Sequence, residues 1–166
     1  MSDWSLPEPD LSFLNSTRNL YGLQFLIILL TYFQVINFGF SPIDDDLLIF
    51  DNLVWLNEPS NIFKLPIVQL SGFYRPVLFF TFMLDVIIGY DIPLTFHLTN
   101  FILHFAATVL VFHLFINLNV TRISAFFASV LFSIHPLGVQ AVAWIPGRND
   151  SLLTILVILS FISFIK

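Results

Sequence analysis

Asp44, Asp45 and Asp46 are three consecutive carboxylates. They directly follow a run from Asn19 to Ile43 that carries no charge. A carboxylate at such an edge can act as a general base if its neighbours tune its proton affinity. Adjacent acids raise one another's pKa, which favours that use. A solvated loop edge is the bland alternative. A second group is His135 to Asp150, where Arg148 suits a phosphate close to a helix start near residue 151. Asp150 can orient that arginine or merely cap the helix. Arg75, in Phe73-Tyr74-Arg75-Pro76, offers a second guanidinium for a lipid phosphate. His97, Asn100 and His104 fall at i, i+3 and i+7, on one helical face. The two histidines are about 10 Å apart along a helix, too far to share a metal, so buried polar packing is the simpler reading.

The elements that must position these groups are read from composition. The 166 residues are 57% hydrophobic and 10% charged, with mean hydropathy +0.90 and 21 phenylalanines. A soluble domain carries about 25% charged residues. The fold class is therefore all-α integral membrane, with about four transmembrane helices and one or two interfacial helices in the first external loop. Without cysteine there is no disulfide, thiolate nucleophile or Cys-based metal site. A net charge of −5 and no basic stripe leave no nucleic-acid footprint. No metal site is assigned.

Residues 1–18 read as a polar tail and 19–166 as the membrane domain. Spans are expected near 20–40, 95–117, 123–136 and 151–166. The first of these reads as a retained anchor rather than a cleaved signal. Gln24, Thr31, Gln34 and Asn37 inside it suit interhelical hydrogen bonds. Residues 41–94 form an external loop. Within it, 45–57 has the spacing of an amphipathic surface helix, with Leu48, Ile49, Leu53 and Leu56 opposed to Asp45, Asp46 and Asp51. The apolar stretch 76–90 is about 22 Å long as a helix, short of ~30 Å of hydrocarbon, and it holds Asp85. A charge at the centre of a span costs at least ~2.5 kcal/mol, so 76–90 reads as shallow or re-entrant. The acidic loop and the 137–150 loop then face the same side. Lys and Arg fall three against three across the membrane and leave the orientation open.

Taken in order, these pieces resemble a family. An acid pair is followed by Tyr74-Arg75-Pro76. Phe96-His97-Leu98-x-Asn100-x-x-Leu103-His104 comes next, then His135-Pro136 and Ala141-Val142-Ala143-Trp144-Ile145-x-Gly147-Arg148-x-Asp150. The string is similar to the start of the membrane domain of GT-C glycosyltransferases, in particular the transmembrane and tetratricopeptide-repeat O-mannosyltransferase-like branch. The resemblance runs from about Phe38 to Phe164. It implies transfer of a sugar, mannose among the candidates, from a polyprenyl- or dolichyl-phosphate carrier to a hydroxyl of a protein or glycan acceptor. It implies Asp44 or Asp45 as the base, Arg148 and Arg75 on the donor phosphate, and Asp150, His135 and His97 in support. Divalent metal use is left open by the family. So is the setting, a bacterial inner membrane or the endoplasmic reticulum membrane. Gly138 and Gln140 stand where the family commonly has His and Glu. Family enzymes also have more spans, so the chain is expected to be an amino-terminal module. The alternative is a small non-catalytic multi-pass subunit that packs against partner membrane helices and lipid.

Epitope tags inserted near residues 55 and 145 are expected to be accessible from the same side of the membrane. Protection of one and labelling of the other in sealed vesicles would rule out any site shared by the two loops.

Overall fold

The computed structural model describes residues 16–42, 44–64 and 75–165. Residues 1–15 of the polar tail, Ile43, Tyr74 with the rest of 65–74, and Lys166 lie outside the described residues, and α1 takes in the last two residues assigned to the tail. Every regular element among the described residues is helical. α1 runs Thr17–Tyr32 and continues as a 3₁₀ turn over Phe33–Asn37. Two short helices follow, α2 Asp45–Leu48 and α3 Leu53–Leu56. α4 is Pro76–Gly89, α5 Pro93–Asn117 and α6 Arg122–Ile134. α7 is Val139–Ala143, and α8 is Arg148–Ile165. Three helices are long and apolar enough to cross a membrane: Thr17–Asn37, Pro93–Asn117 and Ile145–Ile165. A fourth is reached if α6 and the segment Pro136–Ala143, bent by 54° at their junction, count as one span. The protein is thus an all-α membrane protein.

Local chemistry explains most boundaries. Pro76 and Pro93 occupy the first turns of α4 and α5, where a missing N–H costs nothing. Thr121 caps α6 by accepting the Ser124 N–H at 3.3 Å. Asn119, at φ 60°, makes the left-handed turn between α5 and α6, a conformation that asparagine tolerates better than most residues. α8 begins at Arg148, behind a 3₁₀ turn over Ile145–Gly147, so Arg148 lies inside the helix rather than ahead of it.

α5 is the central element, packing against α1, α4, α6, α7 and α8. α1 runs antiparallel to it, with Phe25 edge-on to Phe101 and Phe105, and Tyr32 edge-on to His104. The polar residues of α1 divide in two. Gln24 donates to Ser129 of α6 at 2.7 Å, an interhelical bond, whereas Thr31 bonds back to Ile27 within its own helix. At one end of the bundle α2 and α3 lie on α4. Leu48, Ile49 and Leu56 are buried against Leu78, Phe79, Phe82, Met83 and Val86, with Phe96 and Ile145 completing the cluster. Each such side chain contributes roughly 1.5–3 kcal/mol when fully buried. This explains why so short an amphipathic segment folds there.

One polar cluster lies within this apolar packing. Arg148, 0% exposed, places Nη1 2.6 Å from Oδ2 of Asp85, itself 2% exposed. Its Nε donates to Asn100 Oδ1 at 2.7 Å, Nη1 to Thr81 Oγ1 at 3.2 Å and Nη2 to the Phe96 carbonyl at 3.0 Å. The guanidinium carbon sits 4.7 Å from the Phe82 ring centroid, a cation–π contact. Thr99 donates to the other Asp85 oxygen at 2.5 Å. α4, α5 and α8 are therefore joined at one buried ion pair.

Removing one partner of a buried pair strands the other charge, at a cost of about 3–5 kcal/mol. Asp85→Asn and Arg148→Met are each expected to lower thermal stability in detergent strongly. The double substitution Asp85→Leu/Arg148→Met should recover most of that loss. A double variant no more stable than either single one would show that the pair is not what holds the three helices.

Candidate functional site

A polar cleft of about 350 Å³ opens at the end of the bundle where α2 meets the 140–150 segment. Asp44, Arg75, Gln140, Asn149 and Asp150 bring functional groups to it, and Leu47, Leu48, Trp144 and Pro146 supply apolar wall. Three of the residues expected at a site from sequence, Asp44, Arg75 and Asp150, therefore share one cleft. So does Gln140. The acidic loop and the 137–150 loop lie at the same end of the bundle.

Each lining group is placed for a local reason. Asp44 immediately precedes α2, half-buried, while Asp46 is exposed. Arg75 is held at the cleft edge by Pro76, the first residue of α4. Asp150 is exposed in the first turn of α8, where a carboxylate matches the positive end of the helix dipole. The opposite wall is set by glycine. A β-carbon at Gly147 would stand 2.2 Å from the Gln140 carbonyl oxygen, so only glycine lets α7 and the turn before α8 approach this closely.

Asp45 does not line the cleft. It is 1% exposed, and its Oδ2 accepts the Ser41 N–H at 2.5 Å. Burial raises its pKa above the usual carboxylate range. The Ser41 N–H pulls it back, and Asp44 and Asp46 raise it further. Asp45 thus keeps its proton to higher pH than a free aspartate, and ionising it costs stability as the pH rises.

Arg148 and its expected partner need correction. Arg148 is not available to a phosphate, because it lies in the interior with its donors committed to Asp85, Asn100, Thr81 and Phe96. Asp150 does not hold it; Asp85 does. Sequence reasoning treated Asp85 only as an obstacle to a full span. The available signal was the need of any buried arginine for a buried acid. Asn100 was likewise assigned to packing alone. Its Nδ2 reaches the carbonyls of Val142, Trp144 and Ile145 at 3.4, 3.0 and 3.3 Å while its Oδ1 accepts from Arg148. It thereby ties the back of the cleft wall to α5.

The histidines also divide. His97 is buried, edge-on to Phe38, and away from the cleft lining. His104 is buried with Nε2 2.9 Å from the Ser133 carbonyl. Tyr32 donates to that same carbonyl at 3.0 Å, so His104 serves packing between α1, α5 and α6. His135 is exposed, and its Nδ1 accepts the Leu137 N–H at 3.2 Å, which caps the short turn after α6.

No protein-family model matches the chain, and no solved structure matches it. Protein O-mannosyl-transferase Tmtc1 of Drosophila melanogaster is 29% identical over 166 residues, covering 94% of this chain and 19% of that protein. Protein O-mannosyl-transferase F38B6.6 of Caenorhabditis elegans is 37% identical over 100 residues, covering 56% and 14% respectively. Human protein O-mannosyl-transferase TMTC1 is 38% identical over 92 residues, covering 55% and 10%. The chain spans between a tenth and a fifth of the length of these relatives. All three are animal proteins and give no support to a bacterial inner membrane as its setting. The chain is thus similar in sequence to a part of proteins named O-mannosyl-transferases.

Proposed function

We propose that this chain forms the amino-terminal, cleft-bearing part of a membrane glycosyltransferase. In this reading it helps move a sugar, mannose by analogy with the names of its relatives, from a polyprenyl- or dolichyl-phosphate carrier to an acceptor hydroxyl. The observation that carries the reading is one cleft lined by both a half-buried carboxylate, Asp44, and a half-buried guanidinium, Arg75. Transfer of this kind needs a base for the acceptor proton and positive charge for the departing phosphate. Asp44 takes the proton as the acceptor oxygen attacks the anomeric carbon. The bond from that carbon to the phosphate oxygen breaks, and Arg75 stabilises the charge left on the phosphate. Asp45 supports the loop from behind through Ser41, and Arg148 acts only by holding the wall. The animal relatives favour the endoplasmic reticulum membrane, with the cleft on its lumenal face.

Gln140 favours a second reading. A neutral amide stands in the cleft where the family commonly has an acid, as suits a non-catalytic membrane subunit that retains the scaffold. The two readings part on activity. In membranes carrying the protein with any partner chains it requires, Asp44→Asn is expected to lower sugar transfer from a lipid-phosphate donor by about 10²–10⁴-fold without loss of folded protein. Asp45→Asn keeps an acceptor for Ser41 and should stay within about ten-fold of the parent. Arg75→Gln should act mainly on KM for the donor. Full turnover by Asp44→Asn would remove the base assignment and leave the subunit reading.

A further inference from the structure

Two apolar grooves adjoin the polar cleft, and they meet it through different chemistry. The larger, of about 690 Å³, lies among α5, α6 and α8 and is walled by residues such as Val111, Leu114, Phe132 and Leu137. It shares a single residue with the cleft, the carboxylate Asp150. The smaller, of about 170 Å³, lies between the start of α4 and α8, walled by Val77, Leu78, Leu152, Leu153 and Leu156. It shares two residues with the cleft, Arg75 and Asn149.

Charge separates the two exits. Each offers a path by which the chain of a lipid phosphate in the cleft could reach the bilayer. At the junction with the larger groove the phosphate would meet a like charge, which repels it. At the junction with the smaller groove it would meet a guanidinium and an amide, both hydrogen-bond donors to phosphate. The walls of the smaller groove are also exposed. Val77 is 49% exposed, Leu153 58% and Leu156 52%. Its narrowness suits one chain rather than two.

We infer that the α4–α8 groove is the exit for the single isoprenoid chain of a lipid phosphate held at Arg75 and Asn149, with the larger groove playing no part in donor binding. This assignment rests on the lipid-phosphate reading given under Proposed function, and it fixes which face of the protein the donor enters from.

The test uses a sugar-free polyprenyl phosphate with a photoactivatable diazirine in its first isoprene units, presented to the full chain in vesicles. Cross-linked peptides are mapped by mass spectrometry. Adducts are expected on Val77–Leu78 and Leu152–Leu156, about ten-fold above those on Leu131–Ala141. Arg75→Gln should reduce them about ten-fold, the loss of one charge-assisted contact. Leu153→Trp, on an exposed face of α8, should block the groove and reduce them while the protein stays folded. An equal concentration of phosphatidic acid should leave them unchanged. Adducts centred on Leu131–Ala141 would overturn the groove assignment and leave the lipid-phosphate reading standing. Equal competition by phosphatidic acid would overturn the choice of a single-chain lipid. No saturable labelling of folded protein would overturn both the groove and the reading beneath it.

Discussion

A guanidinium buried among phenylalanines in a membrane protein is tolerable only if its charge and its donors are all answered locally. Arg148 meets that condition through Asp85, Asn100, Thr81 and the Phe96 carbonyl, with the Phe82 ring beneath it. The partners come from α4 and α5, and Arg148 itself from α8. One charge therefore dictates how three helices meet. It also accounts for Asp85, the one charged residue of a 14-residue, largely apolar helix. That acid could not be borne facing lipid, and it is borne here because it is ion-paired.

The cleft inherits its shape from this pair. Arg148 is flanked by Gly147 and Asn149, both lining residues, and Asn100 reaches from the same network to the carbonyls behind the wall. On the other side Arg75 is held where α4 begins, and α4 is clamped through Asp85. The charges that could meet a substrate are thus carried by the edges of elements whose interiors are locked. A rigid interior with polar groups at its rim is the arrangement that pre-organised electrostatics requires. Asp44 and Asp45 show how fine the division is. The two are adjacent, but the one at the mouth of α2 lines the cleft, while the one inside it is buried and bonded to Ser41.

Hydrophobic content and the presence of long apolar helices were legible because they depend on counting apolar residues along the chain. The amphipathic face of Leu48, Ile49 and Leu56 was legible because helical periodicity is local. The membership of Asp44, Arg75 and Asp150 in one neighbourhood followed from the order of motifs and the side on which their loops fall. The roles within that neighbourhood were less legible. Arg148 and Arg75 both lie at the starts of helices, and no local pattern separates the buried one from the half-buried one.

The sequence alone determined an all-helical membrane protein whose polar groups gather in two loops, because hydrocarbon admits little else. It also determined the chemical types present at that edge, carboxylates and guanidinium groups. Only the tertiary structure decided which acid answers which base. Arg148 has Asp150 two residues away and Asp85 sixty-three residues away (148 − 85 = 63), and it pairs with the distant one. The reason is geometric. On a helix, residues two apart point to different faces, so Asp150 turns outward while Arg148 turns toward α4 and α5.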